Sequence, residues 1–218
     1  LANGVGTLSY TPTHRAPGNY TYFAQARDPR TGFVNTNREL VILSVDPEPP
    51  VARAKNITVQ LDANGYVKIT PDQVDNGSYD NCPLSYSVTP DEFDCTNIGR
   101  ANEVTLTVTD KGANRASAVA VVTVEDTVPP TVVVTNITLQ LDAEGKASIA
   151  AADIDGGSSD ACGIASREAS RTHFDCRHVG PNPVWLTVTD KNGNVASNVA
   201  VVTVEDTVAP VVVVTNIT

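Results

Sequence analysis

Asn56-Ile57-Thr58 returns as Asn136-Ile137-Thr138 and again as Asn216-Ile217-Thr218, a step of 80 residues both times. Glu125-Asp126-Thr127-Val128 returns as Glu205-Asp206-Thr207-Val208 at the same step. A unit that recurs whole, joints included, is an array module rather than a one-off catalytic fold. Two complete modules follow from this, 48–127 and 128–207. A segment of different pattern, 1–47, precedes them, and 208–218 reads as the opening strand of a further repeat. Such an organisation points to length and multivalency before it points to chemistry.

Composition narrows the classes. The net charge is −10, and an acidic surface repels phosphate backbones, which argues against nucleic acid as a partner. No apolar stretch is long enough to span a bilayer as a helix. The chain has no methionine, and the expectation is a segment of something longer. Aromatic residues make up 5%, so each small module has few large side chains for its core. Four cysteines meet that need: Cys82 and Cys95 in the first full module, Cys162 and Cys176 in the second. The expected pairing is within each module, where closing a loop of that length is worth roughly 3 kcal/mol. Two buried thiols per module are the plainer alternative. Disulfides imply an oxidising, extracytoplasmic setting.

The apolar period inside each module is two. Val104, Leu106 and Val108 alternate with Thr105, Thr107 and Thr109; Val184, Leu186 and Val188 alternate with Trp185, Thr187 and Thr189. These are half-buried strands. They end in turn chemistry at Asp62-Ala63-Asn64-Gly65, Asp142-Ala143-Glu144-Gly145, Asp110-Lys111-Gly112-Ala113-Asn114 and Asp190-Lys191-Asn192-Gly193-Asn194. No segment carries a helical stripe. The predicted fold class is all-β, with tandem immunoglobulin-like antiparallel β-sandwich modules. Short proline joints, such as Asp126-Thr127-Val128-Pro129-Pro130, contain no glycine or serine. Stiff joints of this kind predict a rod. In 1–47, Tyr20 is placed like the tyrosine of a tyrosine corner, and Glu39 to Val45 reads as a last strand.

The run Asn-Ile-Thr-(Val/Leu)-Gln-Leu-Asp-Ala-x-Gly, then Asp-x-Gly-x-x-Asp-x-Cys, Phe-Asp-Cys, Leu-Thr-Val-Thr-Asp-Lys and Val-Glu-Asp-Thr-Val-x-Pro resembles the hyalin-like (HYR-like) immunoglobulin-type repeats. Such repeats occur in long surface and secreted proteins of the Bacteroidota, including gliding and adhesion proteins. The resemblance covers 48–218, and 1–47 resembles the Ig-like modules that accompany them. Many relatives carry a further cysteine in the last strand; Ala116 to Val124 and Ala196 to Val204 here lack one. The resemblance implies an extracellular stalk, adhesin or fibre segment and no activity. It also makes Thr127 and Thr207 candidate O-glycosylation acceptors, because Asp-Thr-Val fits the Asp-(Ser/Thr)-aliphatic pattern of that phylum.

The densest acidic loop runs from Asp72 to Asn81, with its counterpart at 153–160. Asp75 matches Asp155 and Asp80 matches Asp160. Calcium wants six to eight oxygens and a glycine that lets the backbone fold around it. The four aspartates are therefore candidate calcium ligands; Asx-turns with solvated carboxylates are the plainer account. Glu125, Asp126, Glu205 and Asp206 form a second acidic group at the joints, more simply charged strand ends. Asn19, Asn56, Asn76, Asn136 and Asn216 each begin an Asn-x-Ser/Thr triplet, a sugar acceptor in a eukaryotic host. Alternation turns Trp185 away from the core, where it is a candidate contact for sugar or another protomer, or is partly covered by its own loops.

No nucleophile elbow, phosphate loop or metalloprotease motif is present, and His14, His173 and His178 do not recur in register. The expectation is a non-enzymatic extracellular, cell-surface segment of a stiff stalk or fibre. Its expected partners are neighbouring repeats or copies of itself, with surface glycans as a further class. The competing reading is an accessory carbohydrate-binding array of a secreted enzyme. That reading requires an aromatic platform in each copy, and Trp185 has Thr105 as its counterpart.

Overall fold

The computed structural model describes residues 48–213 and, ahead of them, the backbone of four short strands. These are β1 (Gly18–Phe23), β2 (Ala26–Arg27), β3 (Val34–Asn35) and β4 (Glu39–Ser44). β1 pairs antiparallel with β4, from Gly18 opposite Ser44 to Phe23 opposite Glu39, and β2 pairs with β3. The side chain of Tyr20, His14 and the third Asn-Ile-Thr at Asn216 lie outside the described residues.

The first full repeat forms β5 (Ile57–Gln60), β6 (Tyr66–Lys68), β7 (Ser85–Thr89), β8 (Glu92–Asp94), β9 (Asn102–Thr109) and β10 (Arg115–Glu125). The second forms β11 (Ile137–Gln140), β12 (Lys146–Ser148), β13 (Ile164–Ala169), β14 (His173–Asp175), β15 (Gly180–Asp190) and β16 (Val195–Glu205). The copies match strand for strand. One sheet runs β5-β10-β9-β7 beside the pair β6-β8; the other runs β11-β16-β15-β13 beside the pair β12-β14. Among the described residues helical structure is confined to single turns, at Pro71–Val74, Cys95–Asn97, Ala151–Ile154 and Cys176–His178. The fold is all-β, an immunoglobulin-like sandwich in tandem.

The pairing of β11 with β16 departs from the antiparallel expectation. β11 runs parallel to β16, with Ile137 opposite Val202 and Gln140 opposite Glu205. Parallel partners need a long connection, and β11 and β16 are the first and last strands of their repeat. The chain just before β11 bridges the acidic loop instead, Thr131 to Ser159 and Val134 to Asp155. The leading segment thus pairs first with the acidic loop and then with β16.

Contacts divide the chain into two compact units, and neither coincides with a repeat. One gathers 1–57, 69–91 and 101–123; the other gathers 58–68, 92–100 and 124–218. In the first, the period of two delivers Val104, Leu106 and Val108 inward, with Ile69, Val74, Val88, Ala120 and Val122 also buried. In the second, Val184, Leu186 and Val188 join Ile154, Phe174, Ala200, Val202 and Val204 in one apolar cluster. β-branched residues dominate both lists because they suit a pleated, half-buried surface. No helix among the described residues is long and apolar enough to cross a membrane.

Candidate functional site

The disulfide is the first surprise. Cys95 bonds Cys162, 67 residues later, so the bridge joins one repeat to the next. The expected pairings, Cys82 with Cys95 and Cys162 with Cys176, are not formed; Cys82 is buried, Cys176 exposed, and both stand outside the bond. The reason is topological. β7 and β8 lie between Cys82 and Cys95 and belong to different sheets, so closeness in sequence does not by itself pair the two sulfurs. β13 and β14 separate Cys162 from Cys176 in the same way.

The bridge sits on a turn built to receive it. Asp62 Oδ1 accepts from the N–H groups of Asn64 and Tyr66, which closes the turn before β6. Gly65 completes that turn at φ +72°. A Cβ there would lie 2.7 Å from Cys95 Sγ and 3.1 Å from Ala161 Cβ. Glycine is thus required twice, for its backbone angle and for the sulfur beside it. Cys95 opens the turn after β8, and the Asp94 carboxylate accepts from the Thr96 N–H at 2.8 Å to cap it.

The joint between the repeats is held by side chains. Thr127 Oγ1 donates to Gln60 Oε1 at 3.0 Å, and Gln60 Nε2 donates to Glu125 Oε2 at 2.7 Å. Asp126 Oδ1 takes the Val128 N–H, and Asp126 Oδ2 takes Asn192 Nδ2 at 2.6 Å. Asn194 Nδ2 donates both to the Asp126 carbonyl and to Asp190 Oδ2. The turn that ends β15 therefore docks on the joint. The next joint repeats the local part: Thr207 donates to Gln140, Gln140 to Glu205, and the Val208 N–H to Asp206. The acidic residues at the joints are turn caps and relay acceptors. Thr127 and Thr207 are both exposed.

The four candidate calcium ligands fall into two kinds. Asp75 accepts from the N–H groups of Gly77 and Ser78. Asp155 accepts from Gly157 and Ser158 N–H, from Ser158 Oγ, and pairs with Arg167 Nε at 2.6 Å. Burial works against both carboxylates. Hydrogen bonds from Ser78 and from Ser158, with Arg167 added at Asp155, outweigh it and hold both pKa values below the ordinary range. Their oxygens are thus spent on protein donors. Asp160 Oδ1 caps the N–H groups of Cys162 and Gly163, and one carboxylate oxygen of Asp160 lies within 4.8 Å of one of Asp126 and of Cys162 Sγ. Asp80 Oδ2 is buried without a hydrogen-bond partner.

Trp185 faces outward as alternation requires, 52% exposed between the fully buried Val184 and Leu186. Asn56 and Asn136 each turn the side-chain oxygen to a backbone N–H, of Val121 and Val201 respectively. No sequence signal separates the two ways of pairing the cysteines. Cys82 and Cys162 recur at 80 and Cys95 and Cys176 at 81, and both pairing schemes keep that register.

No family model and no curated protein matches the chain. Among solved structures it is similar to Sidekick-1 immunoglobulin domains 1–4, with 10% identity over 86% of this chain and 58% of that one, TM-score 0.37. Protocadherin gamma B7 cadherin domains 1–4 give 12% identity, 86% and 58% coverage, and TM-score 0.36. Clostridium thermocellum CbhA fibronectin(III)-like modules give 12% identity, 72% and 92% coverage, and TM-score 0.28. The chain spans 58% of the length of the first of these. The fold assignment rests on the sheets themselves.

Proposed function

We propose that this chain is a load-bearing segment of an extracellular, adhesive or structural array of HYR-like immunoglobulin repeats, of the kind carried by Bacteroidota surface proteins. The observation that carries the reading is the Cys95–Cys162 bond between consecutive repeats. A bond in that place resists separation of neighbours and needs an oxidising compartment. Immuno-electron microscopy of native material with antibody to this chain tests the reading. Label distributed along a surface fibre or stalk supports it; label confined to the cytoplasm overturns it.

The competing reading of carbohydrate binding rests on the half-exposed indole of Trp185, which offers a stacking face for a sugar ring in one repeat while Thr105 stands in its place in the other. Saturable binding on a glycan array, lost in Trp185→Ala, would replace the stalk with a binding module.

Two additions belong to the same proposal. Calcium is proposed at Asp80, whose Oδ2 lacks a donor, and at its counterpart Asp160. Excess calcium then raises the melting temperature and chelator lowers it, while Asp160→Asn abolishes the difference; equal melts with and without chelator refute the site. O-glycans are proposed at Thr127 and Thr207. Attachment there replaces the hydroxyl proton given to Gln60 and Gln140. Intact mass of native protein checks this, and unmodified threonines end it.

A further inference from the structure

Cys176 repeats the backbone setting of Cys95. Cys95 follows β8 and its Sγ lies 3.8 Å from the carbonyl oxygen of Gly65; Cys176 follows β14 and its Sγ lies 3.8 Å from the carbonyl oxygen of Gly145. Gly65 stands at φ +72° and Gly145 at φ +70°, and a Cβ on either would meet the neighbouring sulfur at 2.7 Å. The Asp94 carboxylate caps the turn opened by Cys95, and the Asp175 carboxylate caps the one opened by Cys176. The exception is cover. Ala161 and Cys162 of the following repeat sit against Gly65 and Cys95, whereas Cys176 is exposed.

The exit from the second repeat also copies the exit from the first. Thr207, Gln140, Glu205 and Asp206 repeat the local hydrogen bonds of Thr127, Gln60, Glu125 and Asp126, without the bonds that Asn192 and Asn194 give to Asp126. Val211 to Thr218 then repeats the pattern of Thr131 to Thr138. A further repeat that continued from this joint in the same way would bring its own Ala161-Cys162 equivalent back to the same turn.

We propose that Cys176 is a covalent attachment site for the next repeat, whose partner is the cysteine equivalent to Cys162 in an HYR-like repeat beginning at Val208. The array is then a disulfide ladder with one rung between each pair of neighbours. This rests on the stalk reading and names its assembly chemistry. The rung forms by thiol–disulfide exchange. A low-molecular-weight disulfide or a disulfide oxidoreductase first makes a mixed disulfide on the incoming cysteine. The Cys176 thiolate attacks that sulfur, the carrier thiol leaves, and the carrier ends as two thiols. Two cysteine protons and two electrons are thereby accounted for.

The test extends the full chain after Thr218 with a second copy of residues 139–207 whose own copy of Cys176 is changed to serine, so that the complete further repeat holds one appended cysteine, the copy of Cys162. The protein is oxidised in a glutathione redox buffer, alkylated, digested without reduction and read by peptide mass spectrometry. The expected result is two cross-links in the monomer, Cys95–Cys162 and Cys176 with the appended cysteine. In Cys176→Ser the appended cysteine becomes alkylated while Cys95–Cys162 persists. In the chain of 218 residues, Cys176 is alkylated in the monomer. Alkylated Cys176 in the extended protein beside an intact Cys95–Cys162 bond overturns this proposal alone. A disulfide-linked dimer through Cys176 overturns it in favour of a second copy. Absence of the Cys95–Cys162 bond overturns the ladder and removes the support for the stalk reading with it.

Discussion

Ten aspartates of this chain serve its turns and joints. Asp62, Asp75, Asp94, Asp110 and Asp126 each hold a backbone N–H, and so do their counterparts Asp142, Asp155, Asp175, Asp190 and Asp206. At Asp62, Asp75, Asp94 and Asp155 the hydrogen bonds favour the charged form. Asp175 is the extreme case, lowered to about 2 chiefly by its hydrogen bonds from the Arg177 side chain. Its stabilisation is therefore complete above the ordinary carboxylate range near pH 4 and is lost as pH falls toward 2. Acid unfolding should be flat above about pH 5, with its slope between about pH 4 and 2; Asp175→Asn should reduce that slope. A transition centred near neutrality would contradict this. Glycine makes a second residue-scale contrast. Gly65 and Gly99 share φ +72°, but only Gly65 has a sulfur in the path of a Cβ. Gly99→Ala should cost about 1 kcal/mol for the left-handed backbone, and Gly65→Ala more, by denaturant titration. Ala113 already stands at φ 68° where the second repeat has Gly193. Ala113→Gly should therefore stabilise by about 0.5–1 kcal/mol.

At the scale of elements, β15 shows how directly a period of two becomes a face. Its burial alternates from Val184 to Asp190, and Trp185 falls on the open side without any special rule. Leu186→Ala should cost about 2–5 kcal/mol, because it opens a cavity in the cluster with Ile154 and Phe174. Trp185→Ala should change stability by less than about 1 kcal/mol. Equal losses by thermal or chemical melts would mean that the indole is a core residue after all. The strands, the turns at Gly65 and Gly193 and the near absence of helix were all legible, since each follows from local pattern. The parallel pairing of β11 with β16 was not. Alternation states which face of a strand is apolar, and it does not state which neighbour lies alongside.

At the scale of the molecule, the Cys95–Cys162 bond changes what the repeat means. A bridge spanning 67 residues removes about 4 kcal/mol of unfolded-chain entropy in the loop-closure model. Reduction, or Cys95→Ser, should lower the denaturant midpoint accordingly, whereas Cys176→Ser in this chain should leave it unchanged. An equal effect of both substitutions would refute the assigned pairing. The sequence by itself determined the period, the strands, the turns and the joints, because each is written in residues close along the chain. It also placed the cysteines at the right positions in the repeat. Which cysteine meets which was decided by tertiary structure alone, since β7 and β8 go to different sheets and carry Cys95 to the turn at Gly65, beside Cys162. The roles of the aspartates divided the same way. Their loops could be read from glycine and asparagine nearby, but that most carboxylates are occupied by N–H donors depends on the folded backbone that brings those donors to them.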